Sequence, residues 1–145
     1  MAKPIDIALL ISFFGVHGSK VRGRTRIQKD ICILTYRDQI PFTFEFEPNY
    51  YGPYSGELTD ILETLVAAGL LEESIVYVPR FDVRRYDYAL TQEGRKMFKG
   101  IQKSLVDTNS DVFRRLKSNT EELEKMSIPE VAKIAKKCSG IQSIS

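Results

Sequence analysis

The sequence predicts an α+β fold that is mainly α-helical: a helical domain that carries one two-stranded hairpin and ends in further helices. Three observations predict it. Apolar residues recur at helical spacing over most of the 145 residues. Two runs rich in β-branched and aromatic residues, 75–78 and 84–90, flank a turn that starts at Pro79. Capping residues (Ser55, Thr91, Ser127) stand directly before apolar helical stripes.

The first two helices are predicted at residues 4–14 and from Thr25 onward. Pro4 suits the first position of helix 1, because its missing amide would be unpaired there. Helix 1 is apolar around most of its circumference, which predicts deep burial. Helix 2 opens with the spacing of a capping box between Thr25 and Gln28. Its basic residues are predicted to face outward: Arg26, Lys29 and Arg37.

The middle of the chain predicts a strand, a turn and a third helix. Residues 42–47 alternate phenylalanine with polar side chains, which is typical of a half-buried strand. Residues 50–54 form a turn, and Ser55 caps helix 3. Gly69 is predicted to end this helix in the left-handed conformation. The inward stripe of helix 3 is Leu58, Ile61, Leu62, Leu65 and Val66.

The C-terminal third predicts helices beyond the hairpin. Thr91 caps helix 4, whose inward residues are Met97, Phe98, Ile101 and Leu105. Residues 107–110 predict a break, so we divide the chain into a domain at 1–106 and a helical extension at 107–145. Ser127 and Glu130 have the spacing of a second capping box.

The last helix carries a small apolar stripe: Val131, Ala132, Ala135 and Cys138. This stripe either folds back onto helix 1 or packs against a second copy of the chain. We favour the second alternative and expect a homodimer.

Charge is strongly segregated along the chain. Residues 38–79 hold eight carboxylates and no Lys or Arg. The basic residues gather before this segment and after it. Such segregation is typical of a surface that discriminates between partners, although solvated faces can also differ by chance.

The hairpin region resembles a winged-helix domain. Helix 3 is followed by Gly69, a two-stranded hairpin and the block Tyr88-Ala89-Leu90-Thr91-Gln92-Glu93-Gly94. In winged-helix domains the hairpin is the wing, and a Y-x-L-T-x-x-G block ends its second strand. The resemblance implies a winged helix-turn-helix domain.

A second resemblance covers residues 4–99. It rests on Arg26-Ile27-Gln28-Lys29, on Tyr51-Gly52-Pro53-Tyr54-Ser55, on Glu57-Leu58 and on Gly69-Leu70-Leu71. These segments resemble small prokaryotic proteins of the YwgA-like and Panacea-like type. The Panacea resemblance implies a toxin-neutralising or protein-binding role.

We predict double-stranded DNA as a partner, bound outside the usual reading helix. Helix 3 would present carboxylates to the phosphates, and like charges repel at close range. The basic residues lie instead in the loop before helix 2 and on the wing. The predicted DNA-binding residues are Lys20, Arg22, Arg24, Arg26, Lys29, Arg80, Arg84 and Arg85. The alternative is a solvated basic loop paired with acidic side chains.

A protein-binding role uses the opposite surface. The acidic face of helix 3 and the tyrosines beside it suit a basic protein partner, since tyrosine is enriched in interfaces. The alternative for these tyrosines is that their rings pack the turn onto the core. The residues concerned are Tyr51, Tyr54, Glu57, Asp60 and Glu63.

We expect neither catalysis, nor a cofactor, nor a metal. The chain has no phosphate-binding Gly-Lys-Ser/Thr loop and no G-x-S-x-G elbow. His17 is the single histidine, and Cys32 and Cys138 form no CxxC pair. Both cysteines are expected to be reduced residues of a cytoplasmic protein. The apolar run near the N-terminus is too short to span a bilayer, so no membrane partner is expected.

Overall fold

The computed structural model describes residues 2–144 of the chain. Within them the fold is α+β and mainly α-helical, as predicted. The helices are α1 (Pro4–Val16), α2 (Arg24–Tyr36), α3 (Gly56–Ala67), α4 (Gln92–Glu124) and α5 (Ile128–Ser139). The strands are β1 (Val21–Arg22), β2 (Glu47–Asn49), β3 (Gly52–Tyr54), β4 (Leu71–Val78) and β5 (Val83–Leu90). A single 3₁₀ turn, Pro79–Phe81, connects β4 to β5.

The strands form two small antiparallel sheets. The larger has the order β1-β5-β4, and β2 pairs with β3 in the smaller. The hairpin of β4 and β5 is in register from Leu71 opposite Leu90 to Val78 opposite Val83. Strand β1 adds to its free edge, with Arg22 opposite Asp87. The loop before α2 is therefore fixed to the second strand of the hairpin.

One hydrophobic core receives residues from every helix. Helix α1 packs on α4, and α2 packs on α5. Leu9, Leu10 and Phe13 of α1 are fully buried, as its apolar circumference predicts. Leu116 and Leu123 of α4 reach the same core. The boundary predicted at residue 106 lies within α4.

The three predicted capping serine and threonine residues are confirmed. Ser55 Oγ accepts from the amide of Leu58, and Thr91 Oγ1 accepts from Gly94. Ser127 forms the complete capping box with Glu130. Gly69 has φ +76°, the left-handed conformation predicted for the end of α3.

The strand predicted at 42–47 is wrong, although its alternation is correct. Phe42, Phe44 and Phe46 are buried, but residues 41–46 are extended without a partner strand. The buried carboxylate of Asp6 binds this segment instead, accepting from the Thr43 amide at 2.8 Å and from the Thr43 hydroxyl. The alternation shows which side chains are buried, but it does not show what binds the backbone. Here the Asp6 carboxylate accepts the backbone hydrogen bond that a neighbouring strand would otherwise accept.

The capping box predicted at Thr25 and Gln28 is also wrong. Helix α2 begins one residue earlier, after Gly23, and has no side-chain cap. The Gln28 amide points away from its own helix end: its Oε1 accepts from the Ser55 amide at 2.8 Å, and its Nε2 donates to the Ser55 carbonyl at 3.0 Å. The Gln28 side chain therefore binds the start of α3 instead of the amide at the start of its own helix.

The break predicted at 107–110 is confirmed: α4 is interrupted by a kink at Asn109. Asn109 has φ −154° and ψ 61°, and helical turns continue on both sides of it. Met97, predicted to face inward, is 38% exposed, whereas Phe98 packs against the core. Gly15 of α1 makes room for the Phe98 ring, since a Cβ there would lie 2.4 Å from it.

The apolar stripe of α5 packs inside the chain. Val131 and Ala135 are fully buried, and α5 lies against α2 rather than helix 1. The preferred expectation of a dimer interface at this stripe is therefore wrong, because its buried residues are not open to a second copy. No helix among residues 2–144 is long and apolar enough to cross a membrane.

Candidate functional site

Pairing of β1 with β5 brings the basic loop to the hairpin. The amide of Gly23 donates to the Tyr86 carbonyl at 3.1 Å, which extends the contact beyond the two paired residues of β1. A groove of about 480 Å³ results, and we call it the basic groove. Its charged lining comprises Arg22, Arg24, Arg26, Lys29, Arg84 and Arg85, and its apolar and aromatic lining comprises Val78, Phe81, Val83, Tyr86 and Ile128. Six of the eight predicted DNA-binding residues thus line one groove.

The other two predicted residues flank it. Lys20 lines an adjoining depression that shares Arg22, Arg26 and Arg85 with the basic groove. Its Nζ lies 3.4 Å from the Ser74 hydroxyl. Arg80 lies in the 3₁₀ turn at the hairpin tip, with its guanidinium 5.4 Å from the centre of the Phe81 ring.

Four of these cations are exposed and lack an acidic partner among the described residues, whereas Lys29, which also lacks one, is buried. Within residues 2–144, no carboxylate lies within ion-pair distance of Lys20, Arg22, Arg80 or Arg84. All four residues are exposed. They carry charge that a polyanion can neutralise.

The Arg24 guanidinium, unlike these four cations, already has interaction partners in the chain. Its guanidinium stacks over the Tyr86 ring at 3.6 Å, its Nε donates to the Tyr88 hydroxyl at 3.0 Å, and its Nη2 lies 3.5 Å from Glu73. Partial burial opposes the charge of Arg24, but the Tyr88 and Glu73 interactions outweigh it and raise its pKa. Burial and the hydrogen bond to Glu73 raise the pKa of Tyr88 to about 12. Arg85 is likewise neutralised, by a bidentate pair with Asp87 at 2.8 and 3.0 Å.

Arg26 and Lys29 do not face outward, so that prediction is wrong. The Arg26 side chain is 15% exposed; its Nε donates to Asp30 at 3.0 Å, and its Nη2 donates to the carbonyls of Leu123 and Met126. Lys29 is 7% exposed, and burial lowers its pKa. The sequence pattern of α2 predicts one buried face and one exposed polar face. In the structure the end of α4 and helix α5 cover the polar face as well.

The acidic face of α3 is exposed as predicted. Glu57, Asp60 and Glu63 all point to solvent, and none has a cationic partner among the described residues. Tyr51, in the turn between β2 and β3, is 75% exposed, so its ring does not pack the turn onto the core. Tyr54 is half-buried and accepts a hydrogen bond from Thr59 at 3.0 Å.

A cleft of about 250 Å³ lies between the first turns of α2, the β2–β3 turn and α3, and we call it the tyrosine cleft. Tyr51, Tyr54 and Tyr88 line it, with Pro53 and Leu62 as apolar walls and Glu63 as its carboxylate. Arg24 and Thr25 line both this cleft and the basic groove. The two candidate surfaces are therefore neighbours across the start of α2.

Sequence reasoning missed Gln28, Thr59, Tyr86 and Glu73 as residues of these sites. A polar Gln28 between buried Ile27 and Ile31 is the one signal that could have drawn attention to a buried hydrogen-bond network. Among the described residues no group of three or more His, Cys, Asp or Glu side chains has metal-binding geometry. His17 lies beside Ser19, with its Nδ1 2.8 Å from that carbonyl oxygen.

The fold and these surfaces define a small α+β protein with a basic groove and a separate acidic helix face. No model of a known protein family matches the chain. The chain is similar to the uncharacterized protein YwgA of Bacillus subtilis (strain 168), with 37% identity over 87 residues. Those residues make up 60% of this chain and 50% of the relative, so the chain spans about half the length of the curated relative that it matches. The predicted YwgA-like resemblance is confirmed to this extent, whereas the Panacea-like resemblance stays a prediction.

Proposed function

We propose that this chain is a non-catalytic winged-helix protein that binds double-stranded DNA as a transcriptional regulator. The order of elements supports the winged-helix assignment: α1, β1, α2 and α3 precede the hairpin of β4 and β5, and β1 pairs with the second hairpin strand. In this assignment β4 and β5 are the wing.

The observation that carries the proposal is the set of four exposed cations around the basic groove that have no acidic partner among the described residues. Lys20 and Arg22 come from the loop and β1, and Arg80 and Arg84 come from the wing. Segments far apart in sequence thus contribute the same charge to one surface. Phosphate oxygens are the ligands that such a surface suits, because each contact releases condensed counterions from the DNA.

The proposed pose keeps α3 away from the duplex. Its exposed carboxylates would face phosphates in the usual helix-turn-helix pose, where like charges repel. Contacts through the loop and wing go to the DNA backbone and position the protein without reading bases. We therefore expect weak sequence preference and strong salt dependence.

A labelled duplex titrated at two salt concentrations tests the proposal. Four phosphate contacts predict that the binding constant falls with about the 3.6th power of the salt concentration. Arg22→Glu and Arg84→Glu should each weaken binding at least tenfold and reduce this slope. The control is Lys99→Glu, which makes the same charge change on an exposed residue of α4 outside the groove. The proposal fails if the wild type does not bind at 50 mM salt, or if the control loses as much affinity as the groove variants.

A second candidate function is a protein-interaction module, antitoxin-like or adaptor-like, that uses the acidic face of α3. The three exposed, unpaired carboxylates of that face favour it. Replacing Glu57, Asp60 and Glu63 together by lysine should abolish capture of a stoichiometric protein partner and leave duplex binding at least as strong. Capture that survives this charge reversal would exclude the α3 face.

A further inference from the structure

We propose that the tyrosine cleft is the anchoring site for an extended, basic peptide segment of a partner protein. One Lys or Arg side chain of that segment enters the cleft, and its backbone carbonyls accept hydrogen bonds from the β2–β3 turn. This inference rests on the second candidate function and assigns it an anchoring pocket and a partner chemistry.

A directed hydrogen-bond chain leaves one donor free in the cleft. The backbone amide of Ser55 donates to Gln28 Oε1 at 2.8 Å, which fixes the orientation of the Gln28 side-chain amide. Its Nε2 therefore donates to Thr59 Oγ1 at 3.1 Å, and Thr59 donates its single proton to Tyr54 Oη at 3.0 Å. The proton of the Tyr54 hydroxyl has no acceptor among residues 2–144. It is a donor for a carbonyl bound in the cleft.

A second free donor comes from the same turn. The Oδ1 atom of Asn49 accepts from the Tyr50 amide at 2.7 Å, so the NH₂ group of Asn49 is the free end of that side chain. Asn49 and Tyr54 lie on the paired strands β2 and β3, and both line the cleft. Two donors on a short hairpin suit the repeated carbonyls of an extended peptide.

The charge left in the cleft is negative. Arg24 and Glu63 are the charged residues of its lining: Arg24 pairs with Glu73, which lies outside the lining, whereas Glu63 has no cationic partner among residues 2–144. Asp60 and Glu57 continue the acidic surface along α3 beyond the cleft. These carboxylates repel an acidic ligand and attract a ligand that carries a positive charge.

The apolar lining suits the stem of a long basic side chain. Pro53 and Leu62 are buried walls, and the Tyr51 ring is 75% exposed at the rim. Lys and Arg side chains bury their methylene stems against such surfaces while the charged end stays polar. At about 250 Å³ the cleft takes one such side chain rather than a folded domain.

The test is a ¹H–¹⁵N titration of the full chain at 50 mM salt with a blocked hexapeptide of alternating lysine and valine. The matched control probe is the same peptide with glutamate in place of lysine. We expect the lysine peptide alone to shift amides in residues 49–54 and 59–63. The proposal is overturned if the shifts lie elsewhere, or if both peptides bind equally.

Two variants separate the cleft from the outer acidic face. Tyr54→Phe removes the free donor together with the acceptor of the Thr59 hydrogen bond, and it should weaken the lysine peptide about threefold to tenfold, the usual effect of one hydrogen bond. Glu63→Gln should weaken it to a similar degree, whereas Glu72→Gln, an exposed carboxylate of β4 outside the cleft, should not. Thermal unfolding of each variant checks that the fold is kept.

The outcomes also distinguish failure of this inference from failure of the protein-interaction function on which it rests. If binding depends on Glu57 and Asp60 while Tyr54→Phe and the cleft amides are unaffected, the cleft proposal fails and the protein-interaction function stands. If the wild type binds neither peptide, and no partner is captured through α3, both fail.

Discussion

Asp30 is a carboxylate of α2 that lies almost completely inside the protein, with Arg26 Nε 3.0 Å from its Oδ1. Burial raises the pKa of Asp30 from 3.8 to about 6, and Arg26 opposes only part of that rise. The folded state therefore holds this proton more tightly than the unfolded state does. The stability contributed by the protonated form is complete below pH 4 and is lost as the pH rises through 6.

Asp30→Asn should remove that pH dependence. We expect the free energy of unfolding of the wild type, relative to the variant, to fall by up to about 3 kcal/mol between pH 4 and pH 7.5. Urea unfolding at the two pH values measures it. A difference between wild type and variant that stays constant with pH would contradict the assignment.

The two cysteines should differ in reactivity. Cys138 is half-buried on α5, and the neighbouring Cys32 thiol and the charge of Arg37 lower its pKa. Cys32 is fully buried on α2, and the neighbouring Cys138 thiol and its burial raise its pKa. The thiolate is the reactive form. Iodoacetamide at pH 7.5 should therefore modify Cys138 first, as read by peptide mass spectrometry. In urea the two rates should converge, and faster modification of Cys32 in the native protein would contradict the burial described.

At the scale of the elements, α4 carries two glycines with opposite roles. A Cβ at Gly94 would lie 2.1 Å from the Leu70 carbonyl oxygen, a backbone atom that also accepts from the Thr91 amide at 3.1 Å. A Cβ at Gly100 would meet nothing within 4 Å. The first glycine allows α4 to start close against the end of α3, and the second only weakens the helix.

Alanine at these two positions should have opposite effects. Gly94→Ala is expected to destabilise the protein by about 3 kcal/mol, because backbone must move to relieve the overlap. Gly100→Ala should stabilise it by about 0.5–1 kcal/mol, since alanine favours a helix interior. Chemical denaturation of both variants compares them directly. Equal effects of the two substitutions would contradict the close approach of Gly94 to Leu70.

At the scale of the whole molecule, α5 is a structural cover for α2. A chain ending at Met126 would lose the fully buried Val131 and Ala135 and expose the face of α2 that they contact. We expect a loss of at least about 3 kcal/mol in the free energy of unfolding. A chain ending at Gly140 keeps α5 but loses the partly buried Ile141 and the hydrogen bond from the Ile144 amide to the Asn49 carbonyl at 2.9 Å, so its loss should be clearly smaller.

Sedimentation of these two shortened chains tests the assembly at the same time. The chain ending at Gly140 keeps every helix and strand of the fold, so it should keep the oligomeric state of the full chain. A change of state on removing only residues 141–145 would place an interface at the tail.

The sequence by itself determined the elements whose signals are local. The caps at Ser55, Thr91 and Ser127, the left-handed Gly69 and the inward stripe of α3 follow from residue chemistry within one or two helical turns. The grouping of the basic loop with the hairpin was also predictable, because the Tyr88 to Gly94 block resembles the end of a wing. The acidic exposure of α3 follows from its amphipathic pattern.

Only the tertiary structure decided which polar residues are free to act. Arg26 and Lys29 were predicted to face solvent and Gln28 to cap its own helix, but Arg26 binds carbonyls at the end of α4, Gln28 binds Ser55 at the start of α3, and Lys29 is buried. The segment at 42–47 has the alternation of a strand, but Asp6 takes the place of a partner strand. The physical reason is the same in each case. Periodicity records which side of a segment meets apolar neighbours, whereas the polar side is assigned by contacts between residues far apart in the chain.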